Sequence, residues 1–190
     1  MRTPVYLRAA SDADAPALVE VWCDVLRRGD RDQQVAELRH VIDRVSAMPE
    51  ERMVVAEVDG RVVGAVHLKA TTYSAINLEP VVQVVSPHVL PEYRRHGIGS
   101  ALLQAAADFA DEFGIGHVGV AVSSGARDSQ RFMARLSLGP AATLRVAAVS
   151  TVKSRLIASN RPMLARGGPR QLTQVLAARR SQRRQQPSEV

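Results

Sequence analysis

Residues 89–103 read Val-Leu-Pro-Glu-Tyr-Arg-Arg-His-Gly-Ile-Gly-Ser-Ala-Leu-Leu, and they bring together the groups needed to hold an anion. Gly97 and Gly99 admit close backbone approach and positive φ at little steric cost. A helix starting just after them leaves its first amides without intrahelical partners. Those amides lie at the positive end of the helix dipole. Arg94 and Arg95 add charge-assisted donors, each worth roughly 1.5–3 kcal/mol when desolvated. The chemistry is that of a pyrophosphate cradle between a strand and a helix. Two common phosphate motifs are absent: Leu102 stands where the dinucleotide fingerprint needs its third glycine, and no Gly-Lys-Ser/Thr triplet occurs.

The elements that must position this loop are legible on both sides of it. Val81–Leu90 reads as a strand interrupted by Pro87, which lacks the amide hydrogen to complete a ladder. Ile98, Ala101, Leu102, Ala105 and Phe109 form a helical stripe, with Gly114 as its C-cap. Upstream, Val5–Ala9 reads as a strand, and Ser11 with Asp14 forms a capping box. The helix that follows carries Leu18, Val21, Trp22, Val25 and Leu26 and ends at Gly29. Gln33–Ala47 is a second helix, stopped by Pro49. Met53–Val58 and Arg61–Lys69 flank Asp59-Gly60, a type I′ hairpin signal. Downstream, His117–Val122 reads as a strand, Arg127–Leu138 as a helix and Thr143–Val149 as a further strand. The order β-α-α-β-β-β-α-β-α-β is that of an α/β fold with a mixed central sheet flanked by helices.

Composition bounds the rest. Hydrophobic residues make up 46% of the 190, which excludes a largely disordered chain. No apolar run approaches the ~18–20 residues of a membrane span, and the N-terminus has no apolar signal region. The single Cys23 has no partner for an internal disulfide and reads as a buried packing thiol on the first helix. A cytoplasmic location is the default expectation. Charge is split: residues 1–150 hold 16 Lys and Arg against 18 Asp and Glu, whereas residues 151–190 hold nine against one, Glu189. The pI of about 10.4 therefore belongs to a basic C-terminal extension, helical or disordered, and not to the domain before it. Gly167, Gly168 and Pro169 break that extension, Leu172, Val175 and Leu176 repeat at helical spacing after them, and Asn160 with Pro162 reads as a linker.

The run V-x-P-x-Y-R-x-x-G-x-G, followed by a helix rich in Ala and Leu, resembles the acetyl-CoA-binding signature of the GNAT superfamily of N-acetyltransferases. The family pattern Gln/Arg-x-x-Gly-x-Gly/Ala falls here on Arg94, Arg95, His96, Gly97, Ile98 and Gly99, and the order of elements over roughly residues 4–149 is also that of the family. The resemblance implies a GNAT-like acetyltransferase domain over 1–150, with 151–190 as the extension. It implies transfer of an acetyl group from acetyl-CoA, the donor, to a primary amine by direct attack on the thioester, with no metal. It places pantetheine on the main chain near Val89 and Leu90, and pyrophosphate on the amides from Arg95 to Ser100, with Arg94 closing the site. Val81–Leu90 and His117–Val122 are then the neighbouring parallel strands that splay to admit the thioester.

The acceptor needs a proton removed before it attacks. A lysine-like ammonium with pKa ~10.4 costs about 4.6 kcal/mol to deprotonate at pH 7. His88, at the strand end with an ordinary pKa near 6.5, is the leading base; Glu79, at the start of the same strand, is the second candidate. Glu92 reads as neutralising the arginine pair. Many family members carry Phe-Tyr-x-x-x-Gly-Phe after the second splayed strand, with the tyrosine as general acid. Here that segment is Phe132-Met133-Ala134-Arg135-Leu136-Ser137-Leu138, and methionine has no proton to donate. The role is vacant or falls to Ser123, Ser124, Tyr73 or water. Two alternatives of other classes stand beside the enzyme: a degenerate acetyl-CoA-binding sensor or interaction module, and a nucleic-acid-binding or partner-binding protein acting through the basic extension. The second predicts steep salt dependence, but the near-absence of aromatics there argues against base stacking and so against specific recognition of a single strand, leaving nucleic acid a disfavoured but open partner. The acceptor is a small-molecule or peptide amine, and Asp12, Asp14, Asp24, Asp30 and Asp32 suit a cationic one, although a solvated acidic helix face accounts for them better. A homodimer fits the family.

Overall fold

The computed structural model describes residues 4–121 and 126–165. The chain falls into two compact units, Met1–Gly139 and Pro140–Val190. In the first unit, strands β1 (Tyr6–Ala9), β2 (Glu51–Val58), β3 (Arg61–Thr72), β4 (Pro80–Val89) and β5 (Val118–Val120) form one sheet in the order β1-β2-β3-β4-β5. The first four are antiparallel to their neighbours; β5 runs parallel to β4. Parallel neighbours need a crossover, and helix α3 (Ile98–Glu112) supplies it.

Met53, Val54, Val55 and Ala56 are all buried, as are Val62, Val63, Ala65 and Val66. Successive strand residues point to opposite faces, so such runs mean that both faces are covered. Helices α1 (Ala15–Val21) and α2 (Arg31–Ser46) pack on each other and on β3 and β2, and α3 packs across β2, β3 and β4. Phe109, Leu102 and Ile98 of α3 are fully buried, each side chain contributing roughly 1.5–3 kcal/mol. The far end of α3 is tied down by Arg52, which makes two bonds to Glu112 at 2.9 and 2.7 Å and lies 4.7 Å over the Phe109 ring.

Several local signals act as their chemistry requires. Asp59 and Gly60 take φ of 50° and 78°, the left-handed pair that a type I′ turn demands. The Ser11 amide donates to Asp14 Oδ2 at 2.7 Å, and Arg8 grips both Asp14 oxygens at 2.7 and 2.9 Å. These bonds, from the Arg8 guanidinium first, hold the buried Asp14 carboxyl below the usual carboxylate range. Asp30 caps α2 by accepting from the Asp32 and Gln33 amides. Gly114, at φ 63°, ends α3.

Four expectations are corrected. Helix α1 stops at Val21 rather than at Gly29, because Val-Trp-Cys-Asp-Val is a run of weak helix formers; Val25 is left 53% exposed. Cys23, beyond the helix end, is exposed and not a packing thiol. Thr143–Val149 does not form the last strand: a strand needs a ladder partner, this segment has none, and Leu144 and Val146 stay exposed. In the second unit Val149 instead opens helix α5 (Val149–Ala165), which runs through Asn160 and Pro162 where a linker is expected. The glycine break at 167–169 and the Leu172–Leu176 repeat lie outside the described residues. Among the described residues no helix is long and apolar enough to cross a membrane.

Candidate active site

The site is built around a fault in β4. Ala65 pairs with His88, and His67 pairs with Val85, so β4 carries one residue more than β3 across this step. This is a β-bulge. Ser86 lies in it at φ 48°, a left-handed conformation that strains a non-glycine residue. The buried Trp22 donates its indole N–H to the Ser86 carbonyl at 2.8 Å.

Among the described residues the two parallel strands pair only short of the bulge, Val82, Gln83 and Val84 with Val118, Gly119 and Val120. β4 continues to Val89 with its outer edge unpaired among the described residues. Leu90 donates to the Val63 carbonyl of β3 at 2.9 Å. Since main-chain groups alternate between the two edges of a strand, the Val89 amide is turned the other way, toward the outer edge. Of the two residues expected to meet pantetheine, Val89 therefore offers the available amide; that of Leu90 is engaged. Arg94 donates through Nε to the Val89 carbonyl at 3.1 Å and so folds back along the strand end.

The chain then turns through Pro91–Tyr93 into the glycine-rich loop. Arg95 and Gly97 are both left-handed, at φ 66° and 88°, on either side of His96. The first α-helical bond of α3 runs from the Ala101 amide to the Gly97 carbonyl at 3.0 Å. The amides of Ile98, Gly99 and Ser100 thus have no acceptor within the helix and face outward at its positive end. A Cβ on Gly97 would meet nothing within 4 Å; one on Gly99 would lie 3.6 Å from the Phe132 ring, an ordinary contact. Among the described residues no side chain fills the space at Gly97. An anion such as a pyrophosphate fits this arrangement of converging amides, open space and the exposed Arg95 and His96.

Gly64 brings the two halves together. A Cβ there would lie 3.0 Å from the His88 carbonyl and 3.2 Å from Ile98 Cγ2. The missing side chain lets the start of α3 approach β3 beside the bulge.

His88 follows the bulge directly and is half-buried. Burial first, then the nearby Arg94 charge, pushes its pKa below the ordinary 6.5, opposed by Asp24. It is therefore neutral at pH 7 and able to accept a proton. Glu79 does not join it. Nine residues away at the opposite end of β4, roughly 30 Å at about 3.3 Å per residue, it faces His117 at 3.6 Å. Tyr73 lines a cavity of about 250 Å³ beside that same pair, away from the gap. Glu92 pairs with Arg61 at 3.6 Å, not with the Arg94–Arg95 pair, because Arg61 is already held there by Glu20 and lies over the Tyr93 ring. Met133, on helix α4 (Arg127–Arg135), is buried in the core. Ser123 and Ser124 lie outside the described residues. Among the described residues no group of three or more His, Cys, Asp or Glu is placed to hold a metal.

Sequence reading missed Trp22, Ser86 and Gly64. Each had a weak signal: an indole needs an acceptor when buried, Ser-Pro interrupts a valine-rich strand, and a lone glycine inside a strand marks close backbone approach.

A strand edge unpaired past a bulge among the described residues, followed by a glycine-started helix with free amides, is an α/β arrangement open to an anion. The acetyltransferase (GNAT) family model matches residues 16–138, and the chain belongs to that family. It is 29% identical over 109 residues to an uncharacterized N-acetyltransferase of Archaeoglobus fulgidus, spanning 56% of this chain and 74% of that protein. The fold is shared with a transcriptional regulator from Bacillus halodurans C-125, at TM-score 0.66 and 21% identity over 76% of this chain and 100% of that one. It is shared too with the aminoglycoside N-acetyltransferase AAC(6')-Iy in complex with CoA, at TM-score 0.64 and 15% identity over 77% and 95% of the two chains.

Proposed function

We propose that residues 1–150 form an N-acetyltransferase domain that moves an acetyl group from acetyl-CoA to a primary amine, with 151–190 as a basic extension. The observation that carries this reading is the continuity of the parted β4 edge with the α3 cradle. One end offers the Val89 amide to pantetheine; the other offers the amides of Ile98, Gly99 and Ser100, beside Arg95 and His96, to pyrophosphate. The fold relative that holds CoA lends support, since its ligand has this shape and charge.

In the reaction, His88 takes a proton from the acceptor ammonium, and the freed nitrogen lone pair attacks the thioester carbon. The C–N bond forms, the C–S bond breaks, and coenzyme A leaves as a thiolate. A thiol with pKa near 8.5 is a fair leaving group, so Met133 in place of an acid slows this step without forbidding it. The acylated nitrogen gives up its second proton to the thiolate, directly or through water, which restores the thiol, and the proton held on His88 passes to solvent.

Acetyl-CoA binding by calorimetry, beside free-thiol release over a panel of primary amines, tests the reading. Binding that is lost in Gly97→Glu and in Gly99→Glu, with amine-dependent thiol release that drops in His88→Gln, is the expected result. Absence of acetyl-CoA binding to the wild-type protein overturns the donor site. Binding with no amine-dependent release from any amine on the panel favours a sensor.

A further inference from the structure

We propose that Trp22 is a positioning residue: its hydrogen bond to Ser86 holds the β4 bulge in the one conformation that turns the Val89 amide into the donor gap. The inference rests on the acetyltransferase reading and adds to it a residue from outside the signature.

Trp22 is 5% exposed, and its indole N–H finds its acceptor 64 residues away. That acceptor is the carbonyl of a strained residue. A left-handed serine persists only where its surroundings over-determine it. The sheet supplies part of that constraint, through His67–Val85 on one side of the bulge and Ala65–His88 on the other. Pro87 supplies more by fixing its own φ. The sheet ladder gives Ser86 no partner, because the bulge takes it out of register. Among the described residues the indole is the one group from outside the sheet that holds the bulge carbonyl.

The geometry then runs in one direction. Releasing the Ser86 carbonyl frees the bulge to relax toward regular pairing. A one-residue change of register reverses which edge each following amide faces. The Val89 amide would then turn to β3 and leave the gap, while the α3 amides, fixed by Gly97 and Gly64, stay in place. Asp24, two residues past Trp22, acts on the charge of His88, so the same turn lies beside the proposed base as well.

Trp22 is the only tryptophan in the chain, which makes it both the residue under test and the reporter. Trp22→Phe keeps a ring and removes the N–H. Calorimetry would compare two probes on each protein: acetyl-CoA, and 3'-phosphoadenosine 5'-diphosphate, which has the nucleotide end of coenzyme A without pantetheine. The expected result is an acetyl-CoA affinity about tenfold lower in Trp22→Phe, with affinity for the nucleotide within about twofold of wild type. Equal weakening for both probes, or for neither, overturns the positioning role. If Trp22→Phe does not fold, wild-type fluorescence decides. Acetyl-CoA should shift the Trp22 emission and the nucleotide should not. Saturating acetyl-CoA, verified by calorimetry, with no shift overturns the proposal. Wild-type protein that binds neither probe refutes the acetyltransferase reading itself, and the proposal falls with it.

Discussion

Gly97 and Gly99 stand two residues apart in one motif, yet alanine at each should have opposite effects. At Gly97 the backbone is left-handed at φ 88° with nothing within 4 Å of a built Cβ. Alanine there meets no clash but carries the left-handed strain of roughly 1–2 kcal/mol. For a chain of this size, 1 kcal/mol corresponds to about 2–4 °C in Tm, so Gly97→Ala should melt roughly 2–8 °C lower. Its methyl also occupies the space where the anion must approach the amides. Loss of one charge-assisted bond, at roughly 1.5–3 kcal/mol, lowers affinity about 10- to 150-fold. At Gly99 the backbone is helical and the new Cβ lies 3.6 Å from the Phe132 ring, a normal contact. Alanine there gains about 0.5–1 kcal/mol of helix propensity, so Tm should rise by roughly 1–4 °C. The methyl points at helix α4 and not at the anion, so acetyl-CoA affinity should stay within about threefold. Scanning calorimetry and isothermal titration of both variants give all four numbers. Full affinity in Gly97→Ala would mean that the anion binds elsewhere, and a lower Tm in Gly99→Ala would mean that the Phe132 contact is already saturated.

Three further outcomes follow from geometry. If His88 is the base, kcat/KM for the amine should fall on the acid side with an apparent pKa below 6.5, because burial and Arg94 disfavour its charged form; Arg94→Met should move that limb up in pH and Asp24→Asn should move it down, and reversed movements would refute the assignment. Asp14→Asn should cost about 2 kcal/mol at pH 7 in urea titrations, since Ser11 and Arg8 lose an anionic acceptor. The Asp14 pKa is depressed by folding, so its contribution is complete above about pH 3.9 and is lost as pH falls through the folded value; the variant should show a shallower acid limb than wild type. Gly64→Ala should lose roughly 1–3 kcal/mol, read as Tm, because the new methyl lies 3.0 Å from a backbone carbonyl that cannot swing aside.

What the sequence made legible is what short stretches encode. The Asp59-Gly60 turn, the Ser11–Asp14 box and the glycine start of α3 each rest on residues within a few positions of one another, and each forms as read. The loop before α3 belongs to this group, since Arg94 to Gly99 are consecutive and set its backbone on their own. The thioester end of the site is different. As proposed, it draws on a hydrogen bond between Trp22 and Ser86 and on Gly64 of another strand, and no local pattern records those meetings. Glu79 shows the limit of sharing a strand: an extended chain carries its two ends far apart, and Glu79 faces His117 instead of His88. Thr143–Val149 has strand composition, but a strand exists only where a neighbour accepts its ladder.

The parted edge of β4 has a bearing on solubility as well. An unpaired strand edge is a template on which another chain can add a strand, the usual first step of sheet aggregation. From Val85 to Val89 this edge has no strand partner among the described residues, and it would offer a foreign strand a place to add. The bulge twists the edge away from a flat ladder. Pro87 offers no amide to an incoming strand, and the left-handed Ser86 breaks the register on which such a strand would have to dock. The same distortion that under the proposed function opens the sheet to acetyl-CoA closes it to polypeptide.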